Sequence, residues 1–153
     1  SVSDIDTNIE GIKNISRDQV TEISGYWLSS LSLITDVSVK SILGFCWGGG
    51  VVNHCATQLE ELEKAVMFYG TAPDPSKISS IRASLQLHYA ENDDRINAGH
   101  DDYLNALSRG GVSHEAHIYE DAGHAFFNNT RDDRYHQKSA ELAFERALGF
   151  LKN

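Results

Sequence analysis

Cysteine, proline and methionine are scarce in this 153-residue chain: two, two and one. So little cysteine excludes a small secreted scaffold knitted by disulfides, which needs several pairs. Cys46 and Cys55 lie close together in sequence, expected on and inside one helix, where they are poorly placed to bond. The simpler reading is two reduced thiols in a cytoplasmic protein. Basic charge is also short, with 13 Lys and Arg against 22 Asp and Glu and a net charge of -9. That balance argues against a nucleic-acid partner, because phosphate binding wants a basic patch. It also disfavours an anionic membrane surface. No apolar run approaches the roughly 18 residues of a membrane span, and no signal-peptide pattern is present. A start at Ser1 reads as a processed terminus or a fragment. Low-complexity tracts and internal repeats are missing too, so disorder and solenoid architectures are set aside.

What remains is 41% hydrophobic and long enough for one core. We expect a single domain over residues 1–153, with 1–36 an N-terminal loop and helix and 37–153 the core. Ser16 and Gln19 have the spacing of a capping box, in which each side chain bonds the other's backbone N–H. Val20, Ile23, Trp27 and Leu31 then recur at three- and four-residue steps, predicting an amphipathic helix whose apolar stripe faces a sheet. Strands are predicted over 37–43, 65–69, 84–89 and 113–119. The run Ala65–Tyr69 is nearly all apolar, as in a strand buried on both faces. Helical patterns fall over 47–59, 100–107 and 135–151, the last packing through Leu142, Ala143, Arg146, Ala147 and Phe150. Residues 91–94 and 121–130 read as loops. Strands alternating with helices predict an α/β fold with a mostly parallel sheet of about four strands, flanked by helices on both faces.

The chemistry-bearing segment is Gly44-Phe45-Cys46-Trp47-Gly48. A G-x-C-x-G pentapeptide between a strand and a helix has the layout of a nucleophile elbow, a sharp turn that presents one reactive side chain. The first N–H groups of the helix favour a thiolate, and the N–H of Trp47 would face a developing oxyanion. A buried cysteine in an ordinary strand–turn–helix is the alternative. A phosphate-binding loop is not, for the segment has neither G-x-G-x-x-G nor a P-loop lysine. A cysteine nucleophile needs a base and a group to orient it, in chain order nucleophile, acid, histidine. Asp93 or Asp94, just past a strand end, supplies the acid, and spacing alone does not choose between them. His124, after the next strand and a glycine, supplies the base. The remaining histidines, His54, His88, His100, His114, His117 and His136, read as surface or half-buried groups. No spacing makes a zinc site, so no metal is expected. Phe45, Tyr69, Phe126, Phe127, Asn128 and Arg131 are the expected pocket wall.

Four segments together resemble the dienelactone hydrolases (carboxymethylenebutenolidases): 44–49 around the cysteine, Val66-Met67-Phe68-Tyr69-Gly70, 87–94, and 119–128 around the histidine. Ala143-Phe144-Glu145-Arg146 resembles the start of their closing helix. The resemblance runs from about residue 38 to the end, and it selects Asp93 over Asp94. It implies a truncated α/β-hydrolase fold. The implied activity is hydrolysis of a small-molecule lactone or ester by a Cys46–His124–Asp93 triad, with no metal and no organic cofactor. Family members carry much more chain before the cysteine, including early strands, a second oxyanion donor, a glutamate that helps activate the thiol and substrate-binding arginines. Where characterised dienelactone enzymes have an arginine four residues past the histidine, Asn128 stands here, and the nearest arginine is Arg131. That departure argues against a carboxylate-bearing substrate. A first strand left as an open edge would pair with another chain, so a homodimer or higher oligomer is expected. The alternatives are a catalytically incomplete protein of this fold that binds a small molecule, and a thiol redox protein; the second is disfavoured because Cys46 has no C-x-x-C partner.

Overall fold

A computed structural model of the chain describes residues 11–12, 14–34 and 39–153. The first full helix, α1, runs Arg17–Ile34. Its capping box is formed: Ser16 Oγ accepts the Gln19 N–H at 3.1 Å, and Gln19 Oε1 accepts the Ser16 N–H at 3.0 Å. Half of the expected stripe faces inward: Val20 and Leu31 pack against the core, while Ile23 and Trp27 do not. Thr21 and Leu28 are buried, whereas Ile23 and Trp27 are 57% and 59% exposed. Close approach explains the choice. Thr21 Oγ1 lies 3.4 Å from Cys55 Sγ, and a side chain on Gly25 would come within 3.1 Å of Leu59. Thr21 and Gly25 are small enough for that close approach, and Ile23 and Trp27 point outward.

Four strands follow: β1 Ser41–Phe45, β2 Lys64–Phe68, β3 Ser84–Asn92 and β4 His114–Gly123. They pair in the order β1-β2-β3-β4, every neighbour parallel. The helices between and after them are α2 Trp47–Ala56, α3 Asp94–Asn97, α4 His100–Arg109 and α5 Gln137–Lys152, with a 3-10 turn at Pro75–Ser80. This is the predicted α/β architecture. The first strand starts and ends later than expected, at 41–45, and positions 37 and 38 lie outside the described residues. β3 and β4 each overrun their predicted ends, so Glu91, Asn92, Asp121 and Gly123 are strand rather than loop. Their exposed polar side chains hide a ladder that projects past the core.

Strand alternation sends side chains to two cores. On one face Met67, Leu85, Leu87 and Tyr89 pack with Val52 and Cys55 of α2, Leu28 of α1 and Leu107 of α4. On the other, Val66, Phe68, Ala90 and Tyr119 pack under α5 through Ala140, Ala143 and Ala147. Leu142 was expected on the packed side and is 39% exposed instead. Alanines let α5 lie close to the sheet, and a leucine there would hold it off. α5 does not cover β1, whose Leu43 and Phe45 are 41% and 38% exposed. Nor does the outer edge of β1 pair with any strand among the described residues.

Candidate active site

The C-terminal ends of the strands carry the unusual backbone. Four non-glycine residues have positive φ there: Cys46 at 52°, Tyr69 at 38°, Asp121 at 59° and Ala125 at 68°. Such angles are costly and cluster where a side chain must be aimed. Cys46 sits between β1 and α2, with its N–H donated to Phe68 O at 3.0 Å and its carbonyl accepting the Gly50 N–H at 3.2 Å. The turn closes only around glycines. A Cβ on Gly44 would lie 2.4 Å from Gly48 O, and one on Gly70 would lie 2.3 Å from the carbonyl carbon of Gly49. Trp47 opens α2, so its N–H is one of the first-turn donors without an intrahelical acceptor.

Burial pushes the Cys46 thiol up from its ordinary value. Arg134 opposes that shift, Asp93 reinforces it and Arg95 opposes it. Sγ makes no hydrogen bond among the described residues. The acid and base do meet: His124 Nδ1 donates to Asp93 Oδ2 at 2.5 Å, with the Asp93 side chain 6% exposed. Asp94 is exposed and takes no part in that contact. The Tyr69 ring lies edge-on to His124, with centroids 5.1 Å apart. Burial pushes the Tyr69 hydroxyl well above its ordinary range, and the Cys46 charge adds to the effect.

A cavity of about 550 Å³ opens beside the thiol. Of the expected wall residues, Phe45, Tyr69, Phe127 and Asn128 line it. Two others are corrected. Phe126 is 0% exposed and turns into the α5 core, because the turn at Ala125 sends consecutive aromatics to opposite sides. Arg131 lies on the surface, held by Asp133 through two bonds of 2.9 Å. Ala125, Asn129, Tyr135, Ala140, Glu141 and Phe144 also line the wall and were missed. Only Tyr135 could have been suspected, as an aromatic just before the last helix. No cluster of three or more His, Cys, Asp or Glu side chains among the described residues could hold a metal. Among the same residues, no helix is long and apolar enough to cross a membrane.

A parallel sheet with a cysteine at a strained strand-to-helix turn, an aspartate past the third strand and a histidine past the fourth is an α/β-hydrolase arrangement. The model of the dienelactone hydrolase family matches residues 6–153, and the chain belongs to that family. A provisionally assigned carboxymethylenebutenolidase of Saccharolobus solfataricus is 35% identical over 128 residues, covering 82% of this chain and 49% of that protein. An Escherichia coli K12 protein with the same provisional description is 30% identical over 128 residues, covering 76% of this chain and 47% of its own. The chain thus spans about half the length of the curated relatives it matches. Among solved structures, a provisionally assigned dienelactone hydrolase from Klebsiella pneumoniae superposes with a TM-score of 0.82 at 24% identity, over 90% of this chain and 62% of that one. A dienelactone hydrolase-like promiscuous phosphotriesterase from metagenomic libraries gives 0.81 at 16% identity, over 99% and 68%. Both likenesses are of fold.

Proposed function

We propose that the chain is the C-terminal part of a family domain, a single unit, and that it hydrolyses a carboxylic ester or lactone through a covalent acyl-enzyme. The observation that carries this reading is the part-buried Asp93–His124 hydrogen bond, with the His124 ring packed on Tyr69, which borders the same cavity as Cys46 at its strained turn. Engagement of Nδ1 by Asp93 leaves Nε2 to serve as base. His124 removes the Cys46 proton, and the thiolate attacks the carbonyl carbon. The oxyanion takes the Trp47 N–H, a donor of a kind whose loss costs about 3 kcal/mol. The tetrahedral intermediate collapses, its alkoxide leaving with the proton from His124. Water activated by His124 then clears the thioester. Burial raises the pKa of the thiol, which disfavours a standing thiolate and leaves the proton for His124 to remove. The aromatic wall of Phe45, Tyr69, Phe127 and Phe144 suits an apolar acyl or alcohol group. We also read the open edge of β1, with the exposed face of α1, as a surface that a second copy covers.

One observation favours a catalytically incomplete binding protein: Cys46 Sγ lacks a hydrogen-bond partner among the described residues, and the thiol is raised rather than lowered. Intact-mass measurement after rapid mixing with an activated short-chain ester separates the two readings. An acyl adduct that needs Cys46 and turns over only with His124 is the expected result for wild type against Cys46→Ala and His124→Ala. A permanent adduct, or none, makes the binding reading correct.

A further inference from the structure

An aspartate at a helix N-cap ordinarily spends its carboxylate on the helix's own first N–H groups. Asp93 caps α3 without doing so, and no side-chain bond closes that cap. Its carboxylate is turned to His124 instead, at 2.5 Å. Something else must hold the one-turn helix Asp94–Asn97, which is too short to persist by itself. The turn is tied at its far end. Asn97 Nδ2 donates to Ala90 O at 2.8 Å and to Glu91 O at 3.1 Å, while the Ile96 and Asn97 N–H groups reach back to Asp93 O at 3.0 and 2.9 Å. Those two backbone carbonyls sit where the β3–β4 ladder slips between Ala90 and Asn92. Glu91 carries the tie across: its Oε2 accepts the N–H of Asp121, a residue at φ 59° three positions before His124.

We propose that Asn97 is a positioning residue, whose amide pins the Asp94–Asn97 turn to the end of β3 and so keeps the Asp93 carboxylate on His124 and off its own helix. This rests on reading Cys46, His124 and Asp93 as a triad. Asn97 and Glu91 do not line the cavity beside Cys46; they border a separate one with Ala98, His100 and Ile118. Asn97 therefore acts through Asp93 and not on substrate. Two carbonyls freed by the slipped ladder take the two amide hydrogens, which an aspartate of the same shape could not supply.

The test compares wild type with Asn97→Ala, Asn97→Asp, Asp93→Asn and the double variant Asn97→Ala/Asp93→Asn. Three readouts are taken: kcat and KM on an activated aryl ester, the downfield proton resonance of His124 Nδ1, and the melting temperature. Asn97→Ala and Asn97→Asp each lose about tenfold or more in kcat with KM within about threefold, as a small misplacement would cause, and the His124 resonance moves. The double variant is no slower than Asp93→Asn, because both changes break one link. Unchanged kcat and resonance in folded Asn97→Ala, or losses that multiply in the double variant, overturn the proposal. Should Asn97→Ala fail to fold, Asn97→Ser, which keeps one donor, gives an intermediate loss or refutes the idea by giving none. A wild type without turnover defeats the hydrolase reading alone, for the His124 resonance still decides whether Asn97 aims Asp93.

Discussion

The two faces of the sheet are built on opposite plans. Beneath α1, α2 and α4 the strand residues are aliphatic or aromatic, and Leu85, Leu87 and Met67 are 0% exposed. Beneath α5 the same strands bury Gln86 and His88 at 1% and 0%. His88 is fully engaged: Nδ1 meets Tyr119 Oη at 2.8 Å, Nε2 meets Gln86 Oε1 at 2.9 Å, and the ring stacks on Phe68 at 4.2 Å. Gln86 passes the chain on to Glu115 Oε1 at 3.0 Å, and Arg146 lies over the Tyr119 ring at 5.4 Å. A dry face is held by volume and tolerates shape-conserving change. A polar face is held by completeness, since one missing partner strands another group. The polar face lies under the same helix that lends Ala140, Glu141 and Phe144 to the cavity wall.

The largest break in this contrast is expected on the dry face. Leu87→Ala leaves a hole that the packed strands cannot fill, and should cost about 3 kcal/mol in chemical denaturation; a cost below about 1 kcal/mol would mean that the face is loosely packed. The polar face answers to pH instead. Burial, with His117 and Arg146 nearby, pushes the His88 pKa down to about 3 from 6.5. The unfolded chain therefore binds the extra proton first. Stability from this group is whole above pH 6.5 and falls as pH drops toward 3, by about 2 kcal/mol at pH 5. Denaturation curves between pH 7 and 5 check the slope, and His88→Gln should flatten it. The smallest effect on stability belongs to neither face. Trp27→Gln, on the outer side of α1, should change stability by less than about 0.5 kcal/mol yet shift sedimentation from dimer toward monomer. Wild type that sediments as a monomer at micromolar concentration, or a variant that associates equally well, removes the second-copy reading.

The fold was legible where one signal dominated. The apolar run of β2 and the glycines around Cys46 have few alternative uses, and the capping box at Ser16 formed as its spacing implies. Misreadings came where two signals competed. On α1 the stripe through Val20, Ile23, Trp27 and Leu31 was right for Val20 and Leu31, whereas Thr21 and Leu28 take the inward places expected of Ile23 and Trp27. Close packing against Cys55 and Leu59 decides that exchange, and no periodicity encodes that seam. Chain order and strand ends pointed to His124 and to the pair Asp93 and Asp94, and the family resemblance, not spacing, chose Asp93. Glu141 and Phe144 could not be placed, since they reach the cavity only through the way α5 lies across the sheet. Phe126 and Phe127 differ by nothing in sequence except their place after a residue at positive φ, and one is core while the other is wall.

Cys46 occupies a conformation that glycine would hold with less strain. At that single position thermal robustness and chemistry pull apart. A lineage screened only for heat resistance would find relief there by discarding the sulfur. The thiol at the elbow is therefore held against its own conformational preference, as are Tyr69, Asp121 and Ala125 at the same ends of the strands.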